Sequence, residues 1–176
     1  MNWTEAERVH QALLERWRTA MNLVGPGETE HHFVDSAGAV FGLPVQGRWV
    51  DLGSGAGFPG IALAARYPEK EVLLVESRQK RAHFLQQVVR AAGLDNAQVF
   101  HGRTEEINDT FDGVISRAYR PPEDYLADAA GLVQPGGLAV LLSGEEPGPF
   151  EGWLAEESHT YPVPDGQRTR TVLRRL

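Results

Sequence analysis

A glycine cluster with one acidic residue in front of it is the part of this sequence best suited to chemistry. Residues 51–57 read D-L-G-S-G-A-G, directly after the apolar pair Trp49 and Val50. Glycines at this spacing let the backbone turn sharply from a strand into a helix and approach a ligand with no side chain in between. The stretch therefore predicts a cofactor-binding loop.

Two kinds of cofactor are compatible with these glycines. Residues 55–60 spell G-x-G-x-x-G, the fingerprint of a dinucleotide site, while residues 51–57 spell D-x-G-x-G-x-G, a pattern typical of S-adenosylmethionine loops. Asp51 favours the second, because a carboxylate beside the helix N-terminus would repel a pyrophosphate but not a sulfonium ligand. Pro59 also lacks a backbone N–H that a pyrophosphate would use. We therefore predict S-adenosylmethionine, with a dinucleotide as the alternative.

A second acidic residue stands where a nucleoside cofactor needs one. Glu76 ends the next strand-like run, E-V-L-L-V-E, where both classes of enzyme place an acid that accepts hydrogen bonds from ribose hydroxyls. Glu76 thus supports a nucleoside site without deciding which one. The 176-residue chain has no segment left for the separate substrate domain that dehydrogenases usually add, so the balance stays with S-adenosylmethionine.

The elements that must position these residues alternate between strand-like and helical runs. From Arg48 onward this alternation predicts an α/β fold, a doubly wound and mostly parallel sheet of the Rossmann-like type. Thr4 and Glu7 form a capping-box pattern that opens an amphipathic helix, and a second helical run follows from about Thr29 to Phe41. The last two strand-like runs flank P-D-G-Q and predict an antiparallel hairpin. We expect one domain, 1–176, with a helical cap over 1–45 and an α/β core over 46–176.

Composition narrows the chemistry and the partners. There is no cysteine, which excludes disulfides, thiolate metal sites and thiol nucleophiles, and the six histidines form no metal-ligand pattern, so no metal is predicted. The net charge of −7 argues mildly against nucleic acid, although fifteen of the seventeen basic residues are arginine, which suits phosphate and base contacts. No long apolar run and no leader pattern is present, so we expect a cytoplasmic protein without a membrane partner.

Further segments give the sequence a resemblance to a known family. R-W-R-T-A-M-N-L, H-H-F-V-D-S, D-L-G-S-G-A-G-F-P-G, G-R-T-E-E and F-D-G-V-I-S-R-A follow one another along nearly the whole chain. Their order and spacing resemble the RsmG (GidB) family of bacterial small-subunit ribosomal RNA guanine-N7 methyltransferases. The glycine loop marks methyltransferases in general, whereas H-F-V-D-S and V-I-S-R-A are more specific to this family.

The resemblance implies roles for individual residues. It implies S-adenosylmethionine contacts from Gly53, Gly55, Phe58, Glu76, Thr104, Glu105 and Arg117. Gly53 and Phe58 would line the methionine side, while Thr104 and Glu105 would lie at the adenine end. Arg117 would also act at the reaction centre as the catalytic residue. Arg103, Arg170 and Arg174 are expected to contact RNA.

Without the resemblance, these residues have plainer interpretations. Thr104 and Glu105 also fit an ordinary helix start, and Arg117 fits an arginine that pairs with Asp112. His32 and Asp35, three residues apart on a helix, could serve acid–base or metal chemistry, but a polar contact between cap and core is favoured over both. This sequence also departs from the pattern of the family it resembles, in which a longer N-terminus is usual, a lysine stands at the position of Ser143 and an arginine at that of His31.

The implied reaction needs little proton chemistry. N7 of guanine carries a lone pair in the ring plane, so its methylation removes no proton and requires no general base. We expect a monomer that acts on small-subunit ribosomal RNA or on the small subunit, with an unpaired base stacked on Phe58 or Tyr119. A small-molecule methyltransferase and a non-catalytic, cofactor-binding, ribosome-associated protein remain the alternatives.

Overall fold

One sheet organises the protein. The computed structural model describes residues 2–25, 27–144 and 148–176. Within these ranges the strands are β1 (Arg48–Leu52), β2 (Glu71–Glu76), β3 (Ala97–His101), β4 (Phe111–Ile115), β5 (Val133–Ser143), β6 (Trp153–Val163) and β7 (Gly166–Arg175). Their order across the sheet is β3-β2-β1-β4-β5-β7-β6. The first five strands run parallel, and β7 pairs antiparallel with both β5 and β6.

Helices cover both faces of this sheet. They are α1 (Glu5–Met21), α2 (Glu30–Val40), α3 (Gly60–Arg66), α4 (Gln79–Ala91) and α5 (Pro122–Leu132), with a 3₁₀ turn at Thr104–Glu106. Strand residues alternate between the faces: Trp49 packs with α1 to α4 in one core cluster, while Val50 and Leu52 pack with α5 in the other. The predicted doubly wound sheet with an N-terminal helical cap and a C-terminal hairpin is confirmed.

The cap is attached to the core by buried polar contacts. In the capping box, Thr4 Oγ1 accepts a hydrogen bond from Glu7 N at 3.1 Å, and Glu7 Oε2 accepts one from Thr4 N at 2.7 Å. The same Glu7 carboxylate, 2% exposed, accepts two hydrogen bonds from Arg66 of α3. A buried carboxylate with a bidentate arginine is fully paired, so α1 is held in one register against α3.

Two strands begin earlier than the sequence predicts. The Q-P-G-G turn predicts a start of β5 after it, but β5 starts at Val133, because a register shift between Phe111 and Gly113 of β4 accommodates these turn residues as a bulge. β6 starts at Trp153 rather than near His159 and has a similar irregularity after Ala155. Bulges place turn-type residues inside a strand, which composition does not reveal.

Among the described residues, no helix is long and apolar enough to cross a membrane.

Candidate functional site

The point where the strand order reverses defines the candidate site. β1 lies between β2 and β4, so successive crossovers leave β1 in opposite directions. Ligands of open α/β sheets bind beyond the carboxyl ends of the strands at such a position. Ser116 follows β4 and donates a hydrogen bond to Leu52 O of β1 at 2.7 Å, which keeps these two strand ends together.

The glycine loop follows β1 and needs its glycines. Gly53 and Gly55 have φ values of 67° and 57°, in the left-handed region that side chains other than glycine rarely occupy. A Cβ on Gly53 would lie 2.7 Å from the Tyr119 ring. Gly55 N donates a hydrogen bond to Glu76 Oε2 at 3.0 Å, and Arg78 N donates to Glu76 Oε1 at 2.7 Å. Glu76 therefore shapes the loop.

Asp51 explains which cofactor fits this loop. The side chain is fully buried, and its Oδ2 accepts the backbone N–H of Gly60 at 3.0 Å, where α3 begins. No donor among the described residues reaches Oδ1, and burial raises the pKa of Asp51 to about 7. A cationic ligand would stabilise the ionised carboxylate, whereas a pyrophosphate would find this N–H occupied and a negative charge beside it. The site therefore fits S-adenosylmethionine better than a dinucleotide.

Two cavities open beside the loop. Cavity A, about 280 Å³, is lined by Gly53, Val75, Ser77, Gly102, Arg103, Thr104, Glu105, Tyr119 and Arg120. Tyr119 donates a hydrogen bond to Thr104 Oγ1 at 2.9 Å, and Glu105 accepts one from Arg120 at 3.1 Å. Three of the residues predicted to bind the cofactor thus share one cavity. Arg103, which the sequence predicts to contact RNA, is exposed at the same cavity.

Cavity B lies on the other side of the turn that follows β4. It measures about 390 Å³ and is lined by His31, His32, Asp35, Arg117, Ala118, Leu142, Asp165 and Arg168. Ala118 has a φ of 55°, unusual for a residue with a side chain. With Ala118 in this conformation, Arg117 faces cavity B and Tyr119 faces cavity A. The short segment from Arg117 to Tyr119 therefore separates the two cavities.

Arg117 is held by two contacts at this boundary. Its guanidinium lies 4.9 Å from the centroid of the Phe58 ring, and Nη1 donates a hydrogen bond to Asp35 Oδ2 at 3.2 Å. The alternative of a pair with Asp112 is wrong, because the Asp112 carboxylate accepts from Arg48 N instead. Phe58 is 4% exposed and lies beneath Arg117, so it supports the guanidinium and offers little surface on which a base could stack.

His32 faces cavity B as a neutral side chain. Burial, followed by the nearby Arg117 charge, lowers the pKa of His32 to about 4. No group of three or more possible metal ligands occurs among the described residues. Asp35, one helical turn away, makes the cap-to-core contact that the sequence favoured.

The C-terminal arginines are placed differently from the expectation. Arg170 is 2% exposed and its guanidinium donates to Phe41 O and to Glu157, so a phosphate contact does not fit its burial. Arg174 pairs with Glu156 and stands opposite Leu138 of β5. It shares a cavity with Gln46 and Asp112, at the amino-terminal ends of the parallel strands and thus opposite the candidate site. Arg168 is the member of this cluster that reaches the site.

His10 holds the glycine loop from the cap, and its role was not predicted from the sequence. Its Nε2 lies 2.7 Å from Ala56 O, and the rings of Phe33 and Phe58 lie at 5.0 and 4.9 Å. The sequence does contain an indication of this position: His10 precedes Leu14 by four residues, so both lie on the buried face of α1. The positions of Arg168 and Tyr161 at the site could not be predicted in this way, because both residues are far from the glycine loop in the sequence.

We expect His10 to make the stability of the fold depend on pH. Burial lowers the pKa of His10 from 6.5 to about 4, so the unfolded chain binds the proton first as pH falls. The contribution, about 3 kcal/mol, is complete above pH 6.5 and is lost as pH falls toward 4. Urea unfolding between pH 7.5 and 4.5 should show a smaller loss for His10→Gln than for the wild type.

The difference in unfolding free energy between the wild type and His10→Gln, followed as a function of pH, reports on His10 alone, because Asp51 and His32 titrate in both proteins. Parallel pH curves for the wild type and His10→Gln would show that His10 is not the titrating group.

Comparison with solved structures defines the class of fold. An O-methyltransferase from Bacillus cereus in complex with SAH superposes with a TM-score of 0.62 at 18% identity, covering 100% of this chain and 92% of the other. P. horikoshii TYW2 in complex with MeSAdo gives a TM-score of 0.64 at 14% identity, with 84% and 64% covered. The protein thus has the class I methyltransferase fold.

Sequence comparison identifies the family within this class. The family model described as "rRNA small subunit methyltransferase G" matches residues 5–151. The Ribosomal RNA small subunit methyltransferase G of Pseudomonas fluorescens (strain Pf0-1) is 36% identical, covering 93% of this chain and 82% of the relative. That of Acidothermus cellulolyticus is 39% identical, covering 69% and 57%. The chain belongs to this family.

Family membership confirms the resemblance and the prediction of an S-adenosylmethionine-dependent methyltransferase. A dinucleotide enzyme, a small-molecule methyltransferase and a non-catalytic binding protein are not favoured.

Proposed function

We propose that this protein transfers a methyl group from S-adenosylmethionine to N7 of a guanine in small-subunit ribosomal RNA. The observation that carries the proposal is the position of Arg117, at the carboxyl end of β4 on the boundary between cavities A and B. Such a boundary is where a donor in one cavity and an acceptor in the other would meet. The match to a family of rRNA methyltransferases supports the choice of acceptor.

Cavity A and the glycine loop would hold the cofactor. Gly53 lets the ligand approach the backbone, Glu76 would accept hydrogen bonds from the ribose, and Thr104 with Glu105 would border the adenine. The buried Asp51 carboxylate favours a ligand of positive charge. S-adenosylmethionine supplies a methyl group activated by its sulfonium charge.

Cavity B would hold the target base. Its volume of about 390 Å³ lies within the range of small-ligand cavities. N7 of guanine attacks with a lone pair, so no side chain has to accept a proton. His32, whose pKa is lowered to about 4, is neutral at pH 7 and adds no charge. Alignment of N7 with the methyl group then provides much of the rate enhancement.

RNA would approach over the exposed edge of these cavities. Arg103 is exposed there and can contact a phosphate, while the target nucleotide must be unpaired or extruded to enter cavity B. The half-buried Tyr119 offers an aromatic ring on the way. We retain from the sequence the expectation of a cytoplasmic monomer, so sedimentation should give the mass of one 19.4 kDa chain.

A labelling experiment tests this function directly. Small ribosomal subunits that lack the modification are incubated with the protein and methyl-labelled S-adenosylmethionine, and the labelled nucleotide is mapped. We expect label on N7 of one guanine in the small-subunit RNA. Label confined to free nucleotides or to another atom of the RNA would contradict the proposal.

Calorimetry should separate the two cofactor interpretations. We expect S-adenosylmethionine to bind and NAD to give no heat at about pH 8, above the raised pKa of Asp51. There the ionised Asp51 occupies the N–H of Gly60 and places negative charge beside it. Asp51→Asn, which keeps the size of the side chain, should weaken S-adenosylmethionine binding. NAD binding at micromolar concentration, with no heat from S-adenosylmethionine, would reverse the assignment.

A further inference from the structure

One buried carboxylate joins three parts of the fold at cavity B. Asp35 of α2 is 4% exposed. Its Oδ2 accepts a hydrogen bond from Arg117 after β4 at 3.2 Å, and its Oδ1 accepts one from the Tyr161 hydroxyl of β6 at 2.9 Å. Arg168 Nε of β7 lies 3.6 Å from the same Oδ1. The cap, the strand end with Arg117 and the C-terminal hairpin thus meet on one side chain.

The surroundings of Asp35 make this contact close and persistent. A Cβ on Gly38 would lie 2.3 Å from the Tyr161 ring, so only glycine lets β6 approach α2 this closely. Burial, followed by the Asp35 charge, raises the pKa of Tyr161, and its hydroxyl therefore stays protonated as a donor. Side chains held from several directions lose their freedom to change rotamer.

Charge explains why a carboxylate is needed. Arg117 and Arg168 both line cavity B and both pair with Asp35. Without this negative charge, two guanidinium groups would face each other in a partly buried space and repel. Arg117 would then leave its position over Phe58, where the guanidinium carbon lies 4.9 Å from the centroid of the ring.

We propose that Asp35 is a positioning residue for methyl transfer, which orients Arg117 and fastens the β6–β7 hairpin as a wall of cavity B. This inference rests on the proposed function. Tyr161 and Arg168 lie beyond residues 5–151, the part matched by the family model, so the chain completes this cavity with residues outside that match. Two effects follow: loss of the charge should lower turnover through Arg117, and loss of the hairpin contact should weaken RNA binding.

The first effect is tested with Asp35→Asn, which keeps the size and the acceptor oxygen but removes the charge. We expect kcat on unmodified subunits to fall about tenfold or more, with the Kd of S-adenosylmethionine changed less than about twofold. Asp35→Glu, which retains the charge, should recover part of the turnover. Asp95→Asn, an exposed position before β3, is the matched control and should behave as the wild type.

A double-mutant cycle separates positioning from general destabilisation. If Asp35 acts through Arg117, Asp35→Asn should have almost no further effect on kcat in an Arg117→Ala background. An equal loss of kcat in both backgrounds would overturn the positioning role. If Asp35→Asn does not fold, the comparison of Asp35→Glu in the two backgrounds decides the same question.

The second effect is tested with Tyr161→Phe, which removes one hydroxyl and leaves the Arg117 contact in place. We expect a higher KM for the RNA substrate with kcat little changed. An unchanged KM would remove the hairpin from the site. In the same assay, the wild type and Asp95→Asn must both methylate the RNA. If neither protein does so, the proposed function is wrong, and the role of Asp35 that rests on it is wrong as well.

Discussion

Arg117→Ala should lower kcat by about 100-fold or more while changing RNA affinity less than about threefold. The guanidinium lines cavity B beside the turn that separates it from cavity A, and it is fixed by Asp35 and by the Phe58 ring. In the proposed reaction, charge would shift at this position as the methyl group moves. Interactions made chiefly in the transition state affect the rate, not ground-state binding, and single preorganised donors reach this magnitude. Single-turnover kinetics and filter binding on unmodified subunits measure the two quantities.

Two further variants make the result interpretable. Arg117→Lys keeps the charge but not the planar fork, so we expect an intermediate rate. Arg90→Ala, at an exposed position near the end of α4, controls for the loss of one surface arginine. Because Arg117→Ala leaves Asp35 without one partner, thermal unfolding must show that the variant is folded. Normal turnover in folded Arg117→Ala would make this arginine structural.

Gly55→Val should abolish S-adenosylmethionine binding while the protein remains folded. Gly55 has a φ of 57°, which costs a side-chain-bearing residue about 1–2 kcal/mol. Its Cβ would meet no atom of the described residues closer than 3.7 Å, so the fold can accommodate the valine, whereas a cofactor bound on this loop, as we propose, would meet an added side chain. We expect Kd to rise about 100-fold or more and Tm to fall by a few degrees.

Gly93→Val is the matched control for backbone strain. Gly93 has a φ of 62°, and a Cβ there would have no atom of the described residues within 4 Å. It lies after α4 and lines neither cavity. It should lower Tm by a similar amount and leave the Kd unchanged. Equal cofactor affinity in both variants would remove Gly55 from the binding site.

Both predictions concern residues that the sequence identifies without the fold. Gly55 can be recognised from the glycine spacing, because a strand followed by closely spaced glycines is typical of a cofactor-binding loop. Arg117 is assigned through the resemblance carried by V-I-S-R-A, and the alternative interpretation, which pairs it with Asp112, is wrong. Asp112 is near in sequence, whereas Asp35 is 82 residues away.

The sequence by itself determined the elements, the order of strands and helices, and the cofactor loop. These features depend on local causes: capping residues such as Thr4, short apolar runs such as V-L-L-V in β2, and glycines whose φ values only glycine readily adopts. They could therefore be predicted without knowing what lies across the fold. The bulge in β5 could not be predicted in this way, because it depends on pairing with β4.

Only the tertiary structure decided which charges meet. Arg170 and Arg168 are two residues apart on β7, yet one is buried against Phe41 and Glu157 and the other lines cavity B. Residues two apart on a strand point to the same face, but which neighbours they meet there depends on how distant segments pack. The meeting of Asp35 with Arg117 and Tyr161 has the same origin, since packing of α2 against the sheet brings residues up to 126 positions apart into hydrogen-bond distance.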